Sequence, residues 1–150
     1  MKRKRARGNQ NLYNGLDNQM FNLCKYVVIY EKCIKRQILK ERDFCNKYSD
    51  AFAFFKRFRS QIANGNRTNL DATATKKKYS LVFTKSDGCQ VLDFLRHLRN
   101  AICHAHLQLS EDGKMLEITD KFRGLDTCKG NLPEHEVFEF LGKIIGVYEN

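Results

Sequence analysis

Arg99, Asn100 and His104, with Arg96 and His97 a turn earlier, are residue types that hold phosphates and move protons. Histidine titrates near neutral pH and can accept or release a proton, and arginine presents a planar fork of donors matched to phosphate oxygens. Together they suit phosphodiester chemistry. In RNA the 2′-hydroxyl can attack its own phosphate, so a protein need only transfer a proton and stabilise the charge growing at phosphorus. That chemistry requires neither a metal nor a cofactor. On this reading His104 is the general acid or base, Arg99 clamps the phosphate, and Asn100 orients the imidazole or the substrate. Arg96, His97 and the lysine run Lys76, Lys77 and Lys78 are candidate substrate-binding residues.

The element that must position them is a helix. Asp87 with Gln90 three residues on has the form of a capping box, and the helical spacing continues to about residue 107. Leu95, Leu98, Ile102, Ala105 and Leu109 project into one apolar stripe, expected to face the core. Asp93, His97, Asn100 and His104 project into a second, polar stripe on the far side. Arg99 and His104 lie five residues apart, hence about 140° around the helix and about 7.5 Å along it. They diverge within one helix, so a cleft holding both is expected between two copies, and the expected active form is a homodimer. His106 also follows Arg99 at a short spacing but projects towards the apolar stripe, which ranks it below His104. A zinc site from Cys103, His104 and His106, with His97, is disfavoured because neighbouring helical positions point apart and no second spaced pair exists.

The run Leu98-Arg99-Asn100-Ala101-Ile102-Cys103-His104-Ala105 resembles the motif of the HEPN (higher eukaryotes and prokaryotes nucleotide-binding) superfamily. That motif is an Arg followed by four to six residues and a His, with a polar residue commonly just after the Arg. Asn100 stands at that polar position. The resemblance is carried by residues 87–109, with a strand-like excursion and a terminal helix behind it. It implies an all-α bundle, frequent dimerisation, and in many members metal-independent RNA cleavage in toxin–antitoxin, anti-phage or RNA-processing systems. An antitoxin protein is accordingly a candidate partner beside RNA and a second copy.

Elsewhere, residues 17 to about 42 read as one long amphipathic helix. The set Tyr48, Ala51, Phe55, Phe58 and Ile62 reads as a second helix from about residue 46, stopped by Asn64-Gly65. Lys56, Arg57 and Arg59 form a basic patch on its outer side. Residues 66–85 form a long connection with room for a short helix or strand. Residues 115–119 alternate as a strand does, and Pro133 starts a last helix with Val137, Leu141, Ile144 and Tyr148 on one stripe. The expected fold is an antiparallel four- to five-helix bundle with a small β-hairpin-like insertion before the last helix. It forms one domain over residues 13–150 behind a basic flexible tail at 1–12.

The chain carries 27 Lys plus Arg against 17 Asp plus Glu, a net charge of +10 that favours polyanionic partners. Lys2, Arg3, Lys4, Arg5 and Arg7 are five of those positive charges, so the remainder is only mildly basic. No apolar segment follows the basic start and no apolar run approaches membrane-spanning length. A cytoplasmic protein with six reduced cysteines and no membrane association is expected. The competing functional class is a non-catalytic dimeric module that binds nucleic acid, nucleotide or a partner protein.

Overall fold

The computed structural model describes residues 15–65, 70, 79–85 and 89–149. The basic tail, the capping residue Asp87 and the run Lys76, Lys77 and Lys78 lie outside them. The all-α expectation is overturned, because the helices share the core with a five-stranded mixed sheet.

The first helix, α1 (Met20–Ile29), opens from a 3-10 turn at Asp17–Gln19 and is prolonged by a π turn at Tyr30–Ile34. It does not run to residue 42. Arg36 takes a left-handed conformation (φ 65°), and the chain restarts as α2 (Glu41–Lys47), followed after Tyr48 by α3 (Ser49–Phe58). Asn64-Gly65, expected as a helix stop, instead closes strand β1 (Ile62–Gly65), which pairs in parallel with β2 (Leu81–Thr84). Then come α4 (Gln90–Cys103), β3 (Leu107–Leu109), β4 (Met115–Phe122), β5 (Leu125–Pro133) and α5 (Glu134–Gly146). The strand order is β1-β2-β5-β4-β3, with every pair except β1–β2 antiparallel.

Local chemistry explains the strands. Arg123 and Gly124 both have positive φ (53° and 81°), the backbone of the primed turns that match the twist of a two-residue hairpin. The expected small insertion is therefore one long hairpin, β4–β5, embedded in the sheet. Strand β2 is buried along its whole length, so its sequence Leu81-Val82-Phe83-Thr84 shows no alternation to read. Its neighbour β5 crosses it at Gly130, where a Cβ would meet the Ser80 carbonyl at 2.1 Å, an approach that only glycine permits.

Six phenylalanines, Phe44, Phe52, Phe55, Phe58, Phe94 and Phe140, join α2, α3, α4 and α5 through ring contacts of 5.4–6.4 Å between centroids. In α5 the expected Val137, Leu141 and Ile144 are buried together with Phe140 and Ile145, whereas Tyr148 is 42% exposed. All six cysteines are free; Cys128 is buried, while Cys24 and Cys103 are exposed. Among the described residues no helix is long and apolar enough to cross a membrane. Helix α4 is sandwiched: Tyr26 of α1 donates its hydroxyl to the Leu95 carbonyl at 2.5 Å on one side, and the sheet covers the other. That sandwich sets the chemistry of the site.

Candidate active site at the end of helix α4

Helix α4 stops at Cys103 rather than continuing to about residue 107. The His106 N–H reaches back to the Ala101 carbonyl at 2.8 Å and the Ala105 N–H to the Ile102 carbonyl at 3.2 Å, the paired bonds of a Schellman stop. The left-handed residue this motif requires is Ala105 (φ 58°). His104 is thereby the C-cap and His106 the second residue beyond it. Both imidazoles are exposed, with ring centroids 6.1 Å apart. The projection that ranked His106 below His104 assumed a continuous helix and does not apply. Ala105, expected in the core stripe, is exposed; Val91, Leu92, Phe94, Leu95, Leu98 and Ala101 are the apolar side chains that α4 buries.

The polar stripe has a different environment from the open face expected of it. Asp93 and His97 are completely buried, because the sheet lies over them. Asp120 of β4 anchors this layer. Its Oδ2 accepts from His97 Nδ1 at 2.9 Å and from Asn100 Nδ2 at 3.0 Å, and its Oδ1 accepts the Lys121 backbone N–H at 2.9 Å. Burial pushes the Asp120 carboxyl up, but the bonds from His97 and Asn100 outweigh it and hold the group below its ordinary range. The aspartate is therefore an acceptor, which makes His97 Nδ1 a donor. On its other edge His97 Nε2 lies 3.2 Å from Arg96 Nη2 and 3.1 Å from the Thr84 carbonyl.

Asn100 joins this layer to the motif arginine. Its Oδ1 accepts from Arg99 Nη1 at 2.9 Å while its Nδ2 donates to Asp120, so the two bonds fix the orientation of the amide. Arg99 is also held by Glu31 in the π turn, with Nε 2.7 Å from Oε1. Burial raises the Glu31 carboxyl, but Arg99 and Lys35 outweigh it and keep the group below its ordinary range. Asn100 thus hydrogen-bonds Arg99 and Asp120, where the sequence led to the expectation that it orients the imidazole or the substrate.

Above Asp120 opens a pocket of about 470 Å³ at the edge of α4 and the sheet. Its cations are Lys85 just after β2, Arg96 from α4 and Lys121 from β4; Asp120, Asn100 and the hydroxyl-bearing Thr84 and Thr127 also line it. Phe122 lines it as well. Successive strand residues normally face opposite sides, but the register shifts between Asp120 and Lys121, and this bulge lets both contribute to one cavity.

The structure thus brings Arg96 and Asn100 together in the pocket, puts His97 beneath it and ties Arg99 to Asn100. His104 stands apart from the pocket lining, exposed beyond the last turn. Sequence reasoning missed Glu31, Lys85, Asp120, Lys121 and Phe122. The alternation through residues 115–119 was the available signal for Asp120, which follows it directly. Among the described residues no group of three or more His, Cys, Asp or Glu is disposed to hold a metal ion.

A family model described as HEPN pEK499 p136 matches residues 1–150. Comparisons with curated proteins and with solved structures return no match.

Proposed function

Starting from the chain's membership of the HEPN pEK499 p136 family, we propose that it is a metal-independent endoribonuclease whose site combines Arg99 of one protomer with His104 of another. The observation that carries this reading is the display of the motif. His104 is exposed at the C-cap of α4, and Arg99, its side chain 28% exposed, is aimed by Asn100 and Glu31. A proton-transfer group must reach solvent and substrate, and a phosphate clamp must be aligned before the phosphate arrives.

An imidazole takes the 2′-hydroxyl proton as that oxygen bonds to phosphorus. The bond from phosphorus to the 5′-oxygen breaks, and an imidazolium returns a proton to the leaving oxygen. The products are a 2′,3′-cyclic phosphate and a 5′-hydroxyl. Arg99 stabilises the charge on the phosphoryl oxygens through this step, and Arg96 with the lysine run 76–78 draws in the strand. A toxin or anti-phage role, restrained by an antitoxin, extends the same reading.

One contact favours the second reading, a dimeric module that binds nucleic acid, nucleotide or a partner protein without turnover: Glu31 already meets the charge of Arg99. A digest of single-stranded RNA in excess chelator separates the two. The catalytic reading expects cyclic-phosphate ends from the wild type and none from His104→Ala, with both proteins melting alike. Intact RNA after prolonged incubation with the wild type would leave the binding module.

A further inference from the structure

We propose that the pocket above Asp120 is a ribonucleotide subsite for single-stranded RNA, taking a backbone phosphate on Lys85, Arg96 and Lys121 and a sugar hydroxyl on Asp120. The choice of RNA as ligand rests on the ribonuclease reading of the chain. The site itself stands on the geometry of the pocket.

Three cations and one carboxylate line it, so the lining is net positive but carries one buried negative group. A bare phosphate is attracted by the cations and repelled by Asp120. A ribonucleotide satisfies both. The carboxylate already accepts three hydrogen bonds, two on Oδ2 and one on Oδ1, which leaves acceptor capacity on Oδ1 for a donor such as a ribose 2′-hydroxyl. That hydroxyl is what distinguishes RNA from DNA at a single contact. The volume of about 470 Å³ falls among ligand pockets and admits one nucleotide unit. Neither Lys85 nor Lys121 has a salt-bridge partner among the described residues. Asn100 both lines the pocket and holds Arg99, so an occupied subsite lies one residue from the motif arginine.

The test is a titration, in chelator, of the full-length His104→Ala protein with a fluorescent 12-nucleotide RNA and its DNA counterpart, repeated after adding Lys85→Ala and Lys121→Ala. Both lysines are exposed, so their removal leaves folding intact, and a Lys85→Arg, Lys121→Arg protein restores the charge. We expect the alanine pair to weaken RNA binding at least about tenfold and to flatten the salt dependence of log K by about 1.4, with the arginine pair close to the parent. We also expect RNA to outbind DNA by about tenfold in the parent. Unchanged RNA affinity and salt slope in the alanine protein, or equal affinity for RNA and DNA, overturns the subsite. A wild type that binds with these preferences but never cuts RNA removes the catalytic reading and leaves the subsite standing. Cleavage that is indifferent to the lysines does the reverse.

Discussion

Asp120 organises more of the site than any motif residue does. It is 3% exposed, and its two oxygens gather His97, Asn100 and the Lys121 backbone, so it decides where Asn100, and through it Arg99, points. Replacing it by asparagine turns an acceptor towards the His97 donor into an ambiguous amide and removes the charge. Weakening the buried hydrogen bonds that this carboxylate accepts costs about 1–3 kcal/mol, and urea unfolding of Asp120→Asn at neutral pH measures it. The pH dependence has a definite sign. The folded-state value of Asp120 lies below its ordinary 3.8, so the stability it contributes is present above that value and is lost as pH falls through the folded one. The gap in stability between wild type and Asp120→Asn should therefore close in acid below about pH 4. A gap that stays constant down to pH 3 would mean that the carboxylate is not held in its charged form by these bonds.

At the scale of elements, the end of α4 is the feature that presents His104. Ala105 occupies the left-handed position of the stop, where an L-residue is strained by about 1–2 kcal/mol. Glycine there should relieve the strain, offset by its greater freedom in the unfolded chain, for a net gain of up to about 1 kcal/mol. A raised urea midpoint for Ala105→Gly at unchanged slope is the expected result; a lowered one would place the helix end elsewhere. The same alanine explains why the helix end was illegible. Glycine or asparagine announces such a stop, and Ala105 announces continuation, so the projection ran on to residue 107 and carried Ala105 and Leu109 into an apolar stripe that the structure does not keep.

The polar stripe differs from the expected open face for a related reason. Asp93, His97 and Asn100 do share one face of α4, as their spacing requires, but a helical wheel cannot say what covers that face. The cover comes from β2 and β4, through Thr84 on His97 and Asp120 on His97 and Asn100. The former is buried along its whole length and lacks alternation, and although the latter alternates, its pattern does not say which helix face it meets. Residues 115–119 were legible because β4 alternates, and Pro133 was legible because it caps α5.

For the molecule as a whole, the HEPN resemblance identified the family and misled on the architecture. A bundle of helices alone would leave the motif helix with an open polar face. Here the face is closed by a sheet, and the pocket at the seam acquires cations from strands that the motif does not contain. Catalysis at the motif then places one demand on assembly: His104 and Arg99 must meet across subunits, since they leave α4 in different directions. Mixing two inactive proteins examines this directly. Arg99→Ala and His104→Ala are each expected to leave RNA uncut, whereas an exchanged mixture contains dimers with one complete site. The account predicts that the mixture, in chelator, recovers about a quarter of wild-type cleavage with cyclic-phosphate ends. An inert mixture beside an active wild type would contradict it, because the arginine and the histidine would then have to act within a single chain.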